Sequence, residues 1–308
     1  LLRSKPIPLS LHQLYSFGKN PTPKQRLANA CFLHRELPVR LSHRALELMS
    51  LPHGLSAVSG IQQVADCYAL YAYELSRIPA PTSAAEEHEY SCLLAKLLLD
   101  AQSIPRALAA GLQDFRSSQG VDKRDGGWGG GGHDIGGGLS RAKVNNCHIG
   151  RDVENAITRF FNGRIGIRFL MEHHLSTLSE VSCPRPGWSG IIKSEVSPVR
   201  AAEEAAKVAR EACFTHLGAA PEVIVRGQES KTFTYVPSHL DVMLAELLKN
   251  SCRAVVERHH PVYTSLARLV GAIGGWGKRE QESARAQATR ARTWPEGGPG
   301  MPPVVVRV

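Results

Sequence analysis

Between Pro237 and His259 the chain reads PSHLDVMLAELLKNSCRAVVERH, and its polar residues recur at a spacing that gathers them on one side of a helix. With Glu246 as origin on a wheel of about 100° per residue, His239 and Glu257 fall at about +20°, Asn250 at about +40° and Arg253 at about −20°. A carboxylate, an imidazole, a neutral amide oxygen and a guanidinium therefore share one stripe. His239 and Glu246, two turns apart, suit a hydrogen-bonded pair in which the imidazole tunes the carboxylate as a general base. Asn250, one turn on, offers a neutral oxygen suited to Mg²⁺. The plainer reading is a solvated face laced with ion pairs. Such faces usually alternate Glu with Lys, whereas His and Asn are mediocre helix formers that serve better as ligands or bases.

Something must hold that stripe in place. Leu240, Leu244, Leu247, Leu248 and Val255 of the same segment fall within an arc of about 100°, the width of a core-facing stripe. Ser238 stands where an N-cap belongs, with Asp241 three residues on as an acidic capping-box partner. Upstream, Ser197 and Pro198 make an N-cap and N1 pair for an alanine-rich helix that runs to Leu217 and stops at Gly218. EVIVRG and TFTYV follow, two β-rich segments around the polar GQESK, and this pattern predicts a hairpin.

Residues 8 to about 120 read as helices. The Glu89–Phe115 segment repeats apolar residues every three or four positions without β-branched runs, which favours a helix bundle, and Pro105 is expected to kink or divide it. The glycine-dense run from Gly120 to Gly138 reads as a flexible surface loop, and without a G-K-[ST] ending it is no P-loop. From Asp152 the helical pattern resumes. Arg164 and Arg168 lie one turn apart on a face shared with Ile157, Phe161 and Met171, where repulsion and desolvation both cost energy. Either an anion sits between them, or each finds its own carboxylate or reaches water.

At 308 residues and 43% hydrophobic, the chain is long enough for two domains with cores of their own. The reading is α+β: a helix bundle over 1–190, then a smaller α/β domain over 195–308. A net charge of +9 suggests an acidic partner. With aromatics at 6% and no arginine-rich stripe interleaved with them, nucleic acid is not that partner. The seven cysteines, Cys31, Cys67, Cys92, Cys147, Cys183, Cys213 and Cys252, form no C-x-x-C pair and read as reduced core residues. No run approaches the ~18 apolar residues that would span a bilayer.

The segment YVPSHLDVMLAELLKNSCRAVVE closely resembles the N-box of the mitochondrial pyruvate dehydrogenase kinases, members of the GHKL group of ATP-binding folds. Three further stretches resemble the same family, in its order: Phe32–Ser56, Arg159–His174 and Ser197–Gly227. The resemblance implies a regulatory and docking helix bundle followed by an incomplete GHKL α/β sandwich, with nucleotide lying against the sandwich's helices. It assigns Glu246 as general base toward a substrate serine, His239 as the residue that holds and tunes it, and Asn250 as ligand to a Mg²⁺ bridging the phosphates of ATP. Lys249 and Arg253 become nucleotide contacts. Arg164 and Arg168 would line an allosteric pocket for a pyruvate-like carboxylate, with Asp100 near the place of a family histidine. The implied substrate is the pyruvate dehydrogenase α-subunit, with the branched-chain 2-oxoacid complex as alternative. The implied partners are a lipoyl domain of the acyltransferase core and a second copy in a homodimer, and the implied compartment is the mitochondrial matrix.

The sequence departs from the family after Arg258. The expected D-x-G-x-G loop and glycine-rich lid do not follow, and Gly271–Pro303 is a Gly/Ala/Arg-rich stretch of low complexity. The closing PPVVVRV resembles the strand that precedes the family's Asp loop. Two readings follow: a kinase whose chain is cut short, or a non-catalytic interaction protein of the same family.

Overall fold

The computed structural model describes residues 1–19, 21–118, 141–260 and 301–308, in two compact units, Leu1–Ile191 and Ile192–Val308. The glycine-dense run and nearly all of the low-complexity stretch lie outside the described residues.

The first unit is helical: α1 (Leu11–Gly18), α2 (Pro23–Met49), α3 (Ser59–Arg77), α4 (Ala84–Asp100), α5 (Ile104–Ser118) and α6 (Arg141–Ser182), then the two-residue extended segment β1 (Trp188–Ser189). Local chemistry sets the starts. Ser10 caps α1 in a complete capping box with Gln13, Thr22 caps α2 ahead of Pro23 at its first position, and Ser83 caps α4. Pro105 divides its stretch as expected: α4 ends at Asp100, a 3₁₀ turn spans Ala101–Ser103, and α5 begins afresh. The core runs along one face of α2 (Leu33, Leu37, Leu41, Leu48) and meets Ile61, Val64 and Tyr68 of α3, Leu94 and Leu97 of α4, and Phe160, Ile167 and Met171 of α6. Tyr68 and Phe160 pack edge to face at 5.5 Å, an arrangement the ring quadrupoles favour. Helices α2 and α6 approach closely at Gly163, whose missing side chain leaves the space that the Arg44 guanidinium takes up.

The second unit comprises β2 (Ile192–Val196), α7 (Pro198–Leu217), β3 (Val223–Arg226), β4 (Phe233–Tyr235), α8 (Pro237–His259) and β5 (Val304–Arg307). Helix α7 begins and ends as the sequence indicates: the Ser197 hydroxyl accepts from Arg200 N, and Gly218 takes the left-handed C-cap conformation. The expected hairpin between β3 and β4 does not form. β3 pairs in parallel with β5 in the register Val223–Val304 through Arg226–Arg307, while β4 pairs antiparallel with β2 across a register irregularity. The cause lies in the side chains. VIVR and VVVR are continuous β-branched runs of the kind that parallel sheets bury, and Val223, Val304 and Val306 pack on Ala205, Ala206, Ala209 and Leu248 of the helices. β4 is more polar and largely exposed, and its Thr234 hydroxyl bonds Ser194 O at 3.1 Å.

Candidate functional site

Helix α8 carries the stripe. It starts one residue before the expected cap: Val236 is the N-cap and makes no side-chain cap bond, and Pro237 takes N1. Ser238 is therefore already helical, because proline's fixed φ favours the first helical position over the cap that follows it. The buried seam also differs from the expected leucine arc. Leu248, Cys252 and Val256 are the buried residues, while Leu240, Leu244 and Val255 are half-buried and Leu247 is 64% exposed. The neighbouring face of α7 is alanine-rich, so the helices meet along a narrow i, i+4, i+8 line and the flanking leucines lie at its edge.

The seam lies roughly 120° around the helix from the polar stripe, and the stripe faces water. Glu246 is exposed and its carboxylate is paired with Lys249 one turn on. Arg253 Nε donates to Glu257 Oε1 at 2.7 Å, Asn250 is exposed, and His239 is half-buried. The predicted catalytic and nucleotide residues thus share one helix face, on which Glu246 is bonded to Lys249. Chemically the face presents a carboxylate oxygen, an amide oxygen and two cations. No cluster of three or more His, Cys, Asp or Glu able to hold a metal occurs among the described residues. The donor set still fits Mg²⁺, which takes few protein oxygens and completes its shell with water and phosphate.

The second predicted site lies in the helix bundle. Arg164 and Arg168 line one small cavity with Tyr68, Tyr71, Leu97 and Met171. Its volume of about 20 Å³ is room for about one water. The two arginines are treated differently. Arg168 pairs with Glu172 one turn on. Arg164 is 7% exposed, and its bonds go to neutral oxygens: Tyr68 Oη at 3.3 Å and Ala101 O at 2.8 Å. Burial raises the Tyr68 phenol, with Arg164 opposing. Asp100 is exposed at the end of α4.

A third group escaped the sequence reading. Arg26 of α2, Glu87 and Ser91 of α4, and His174 and Thr177 of α6 form one buried network. Arg26 donates to Glu87 Oε1 at 2.5 Å, His174 O at 3.0 Å and Thr177 Oγ1 at 2.7 Å. His174 Nε2 lies 3.1 Å from both Glu87 Oε1 and Ser91 Oγ. Burial alone would raise the Glu87 carboxyl, but the bonds from His174 and Ser91 and the Arg26 charge outweigh it and hold it at about 2. The signal was present: Arg26, Ala30, Leu33 and Leu37 are all buried along one helix face, so a charge sits squarely on an apolar period. Nearby, His173 Nε2 lies 3.1 Å from Leu14 O, and burial pushes its imidazole down to about 4. The cysteines also depart from expectation: among those whose side chains are described, Cys213 and Cys252 are buried, while Cys67, Cys92 and Cys183 are exposed on helix flanks or ends.

Residues 8–193 match the family described as mitochondrial branched-chain alpha-ketoacid dehydrogenase kinase. Among similar proteins, the mitochondrial [pyruvate dehydrogenase (acetyl-transferring)] kinase of Arabidopsis thaliana is 32% identical over 252 residues, covering 81% of this chain and 61% of the relative. The human isozyme 4 is 27% identical, covering 87% and 61%, and the Schizosaccharomyces pombe enzyme 28%, covering 82% and 68%. The chain spans roughly three-fifths of the length of the curated relatives it matches.

Proposed function

The chain belongs to the mitochondrial branched-chain alpha-ketoacid dehydrogenase kinase family, and from that premise we propose that it is an ATP-dependent protein-serine kinase acting on the pyruvate dehydrogenase complex in the mitochondrial matrix. The observation that carries the reading is the α8 face, where Glu246, Lys249, Asn250 and Arg253 stand together in water. In this proposal Glu246 aligns and deprotonates the substrate serine, and His239 positions it. Asn250 supplies an oxygen to Mg²⁺, and Lys249 and Arg253 hold phosphates. Phosphoryl transfer asks mainly for such positioning and charge neutralisation. The metal, when bound, neutralises charge on the phosphates. The substrate is the pyruvate dehydrogenase α-subunit, chosen over the branched-chain complex because the similar proteins above carry the pyruvate name.

Among the described bonds the buried Arg164 reaches neutral oxygens alone, and an anion beside it would offset the cost of burying that cation, although the cavity there has room for about one water and must open to admit a carboxylate. A groove of about 280 Å³ lined by Leu9, Leu11, Leu14, Phe169 and Leu170 has the apolar character to take the acyl arm of a lipoyl domain. A homodimer through the nucleotide unit completes the proposal. The deciding experiment supplies radiolabelled ATP and Mg²⁺ with purified pyruvate and branched-chain complexes in parallel. Label on the pyruvate α-subunit is the expected result. Label on the branched-chain complex alone reassigns the substrate, and no label together with no measurable ATP binding favours a non-catalytic interaction protein.

A further inference from the structure

Leu11 and Leu14 of α1 and Ile165, Phe169 and Leu170 of α6 line the apolar groove beside α1, and of its described lining residues Arg40 of α2 alone carries a polar side chain. That guanidinium is already held at two of its three nitrogens: Nε donates to Glu36 Oε1 at 2.8 Å and Nη2 to Ile7 O at 2.6 Å. Glu36 is 5% exposed and its Oε1 also accepts from Ile7 N at 2.8 Å, so cation, carboxylate and backbone fix one another. Nη1 takes part in none of the described bonds. The groove therefore holds a donor that is fixed in place before any ligand arrives, on a group whose charge is already matched.

Gly166 is what leaves that donor open. It lies inside α6 and lines the same groove. A mid-helix glycine is unfavourable, and packing does not demand this one: a Cβ built there meets no atom nearer than Arg40 Nη1 at 3.8 Å, an ordinary contact. Gly163 is different, since there the Arg44 guanidinium takes up the space of the missing side chain. A side chain longer than a methyl at 166 would reach over Nη1. Ile165 and Gly166 sit one turn before Phe169 and Leu170 on the helix, so the donor marks one end of an apolar floor.

We propose that Arg40 reads the head group of the chain that this groove holds: Nη1 donates to a neutral carbonyl oxygen, as in an amide, and the apolar walls take the methylenes that follow. This selectivity rests on the acyl-arm reading of the groove. Glu36 decides for the neutral oxygen. Because it already balances Arg40, a free carboxylate would bring a second negative charge beside it and give up more hydration on entering apolar surroundings. An ammonium head offers no acceptor and meets the guanidinium charge.

The test titrates the full chain by calorimetry at neutral pH with three probes that share an eight-carbon chain: N-methyloctanamide, octanoate and octylammonium. The expected order on the intact chain is the amide first, octanoate at least fivefold weaker, and octylammonium without saturation. Gly166→Asp places a carboxylate within reach of Nη1. Losing a hydrogen bond from a charged donor costs about tenfold, so amide binding should fall by that factor while octylammonium gains, a change of order that lost packing would not produce. Gly166→Ala adds a methyl alone and should keep the order of the intact chain, and melting temperatures serve as the folding control for both variants. Should Gly166→Asp not fold, the order of the probes on the intact chain still decides. Amide binding that Gly166→Asp leaves unchanged, or octanoate as tight as the amide on the intact chain, overturns Arg40 as the reader while the acyl groove stands. Saturable binding by none of the three probes overturns the acyl reading and this selectivity together.

Discussion

The network around Arg26 and the stripe on α8 use the same residue types, an arginine or lysine, a glutamate and a histidine, in opposite settings. In the helix bundle these groups are almost fully removed from water, and their bonds join all three pairs of helices: α2 to α4, α2 to α6, α4 to α6. On α8 the described bonds stay within one helix, at i, i+3 and i, i+4, and the side chains remain exposed. Groups buried at high desolvation cost must be compensated by neighbours and are fixed by them. Groups left in water gain little from their ion pairs and remain available to a ligand. The same chemistry therefore serves architecture in one unit and offers itself for function in the other.

The largest effect expected from that contrast is on activity. Glu246→Gln should lower the initial rate of phosphate incorporation by about 10²–10⁴-fold, the range for loss of a positioned general base, with the melting temperature unchanged because the side chain is exposed. Asn250→Ala should reduce the rate and raise the Mg²⁺ concentration needed for half-maximal activity. A Glu246→Gln protein that melts lower but phosphorylates normally would turn the stripe into a structural feature and end the comparison.

Next in size is the buried side. Arg26→Met leaves Glu87 without its cation, and breaking a buried pair costs about 3–5 kcal/mol, or a fall of roughly 6–20 °C in a unit of this size. Removing both charges, as Arg26→Met/Glu87→Leu, should recover much of that loss, since apolar replacement of a whole pair is often near neutral. Calorimetry on the single and double variants measures both. Equal losses would mean that the network acts through packing rather than charge.

Acid separates two buried groups by their pH windows. Glu87 sits at about 2 in the fold, so its stabilisation is complete above the ordinary carboxylate range and is lost as pH falls from about 4.5 toward 2. His173 sits at about 4, held neutral by burial. The unfolded chain takes up the proton first, so stability declines between about pH 6.5 and 4 and is flat below. Each shift corresponds to about 3 kcal/mol. Urea midpoints taken across pH should show the upper slope flattened in His173→Gln and the lower slope flattened in Glu87→Gln. A single slope that both variants change alike would show that the two groups titrate together.

How much of this was legible follows the same division. Helix starts governed by Ser10, Thr22, Ser83 and Ser197 are local and can be read directly, as can the break at Pro105. The pairing of β3 with β5 was not, because it joins strands some eighty residues apart and GQESK imitates a hairpin turn. Helical periodicity placed Glu246, Asn250 and Arg253 on one face correctly. It misjudged the buried seam, because Leu247 and Cys252 exchange places once the alanines of α7 bring that helix close. Arg26, Glu87 and His174 were each visible as a polar residue on an apolar stripe, yet only the packing of three helices shows that they meet.

The smallest effect is the sharpest probe of the exposed face. Glu257→Gln removes the partner of Arg253, and an i, i+4 pair in water contributes under about 0.5 kcal/mol, so the melting temperature should barely move. If Arg253 holds a phosphate, the same substitution frees its guanidinium and removes a nearby negative charge, both of which favour an anionic ligand. ATP affinity measured by titration calorimetry should therefore rise by a few-fold at low salt, and the gain should fade as added salt screens the exposed charges. In a stripe that serves only as a solvated surface, affinity stays unchanged at every salt concentration, because Arg253 and Glu257 answer only to each other and to water.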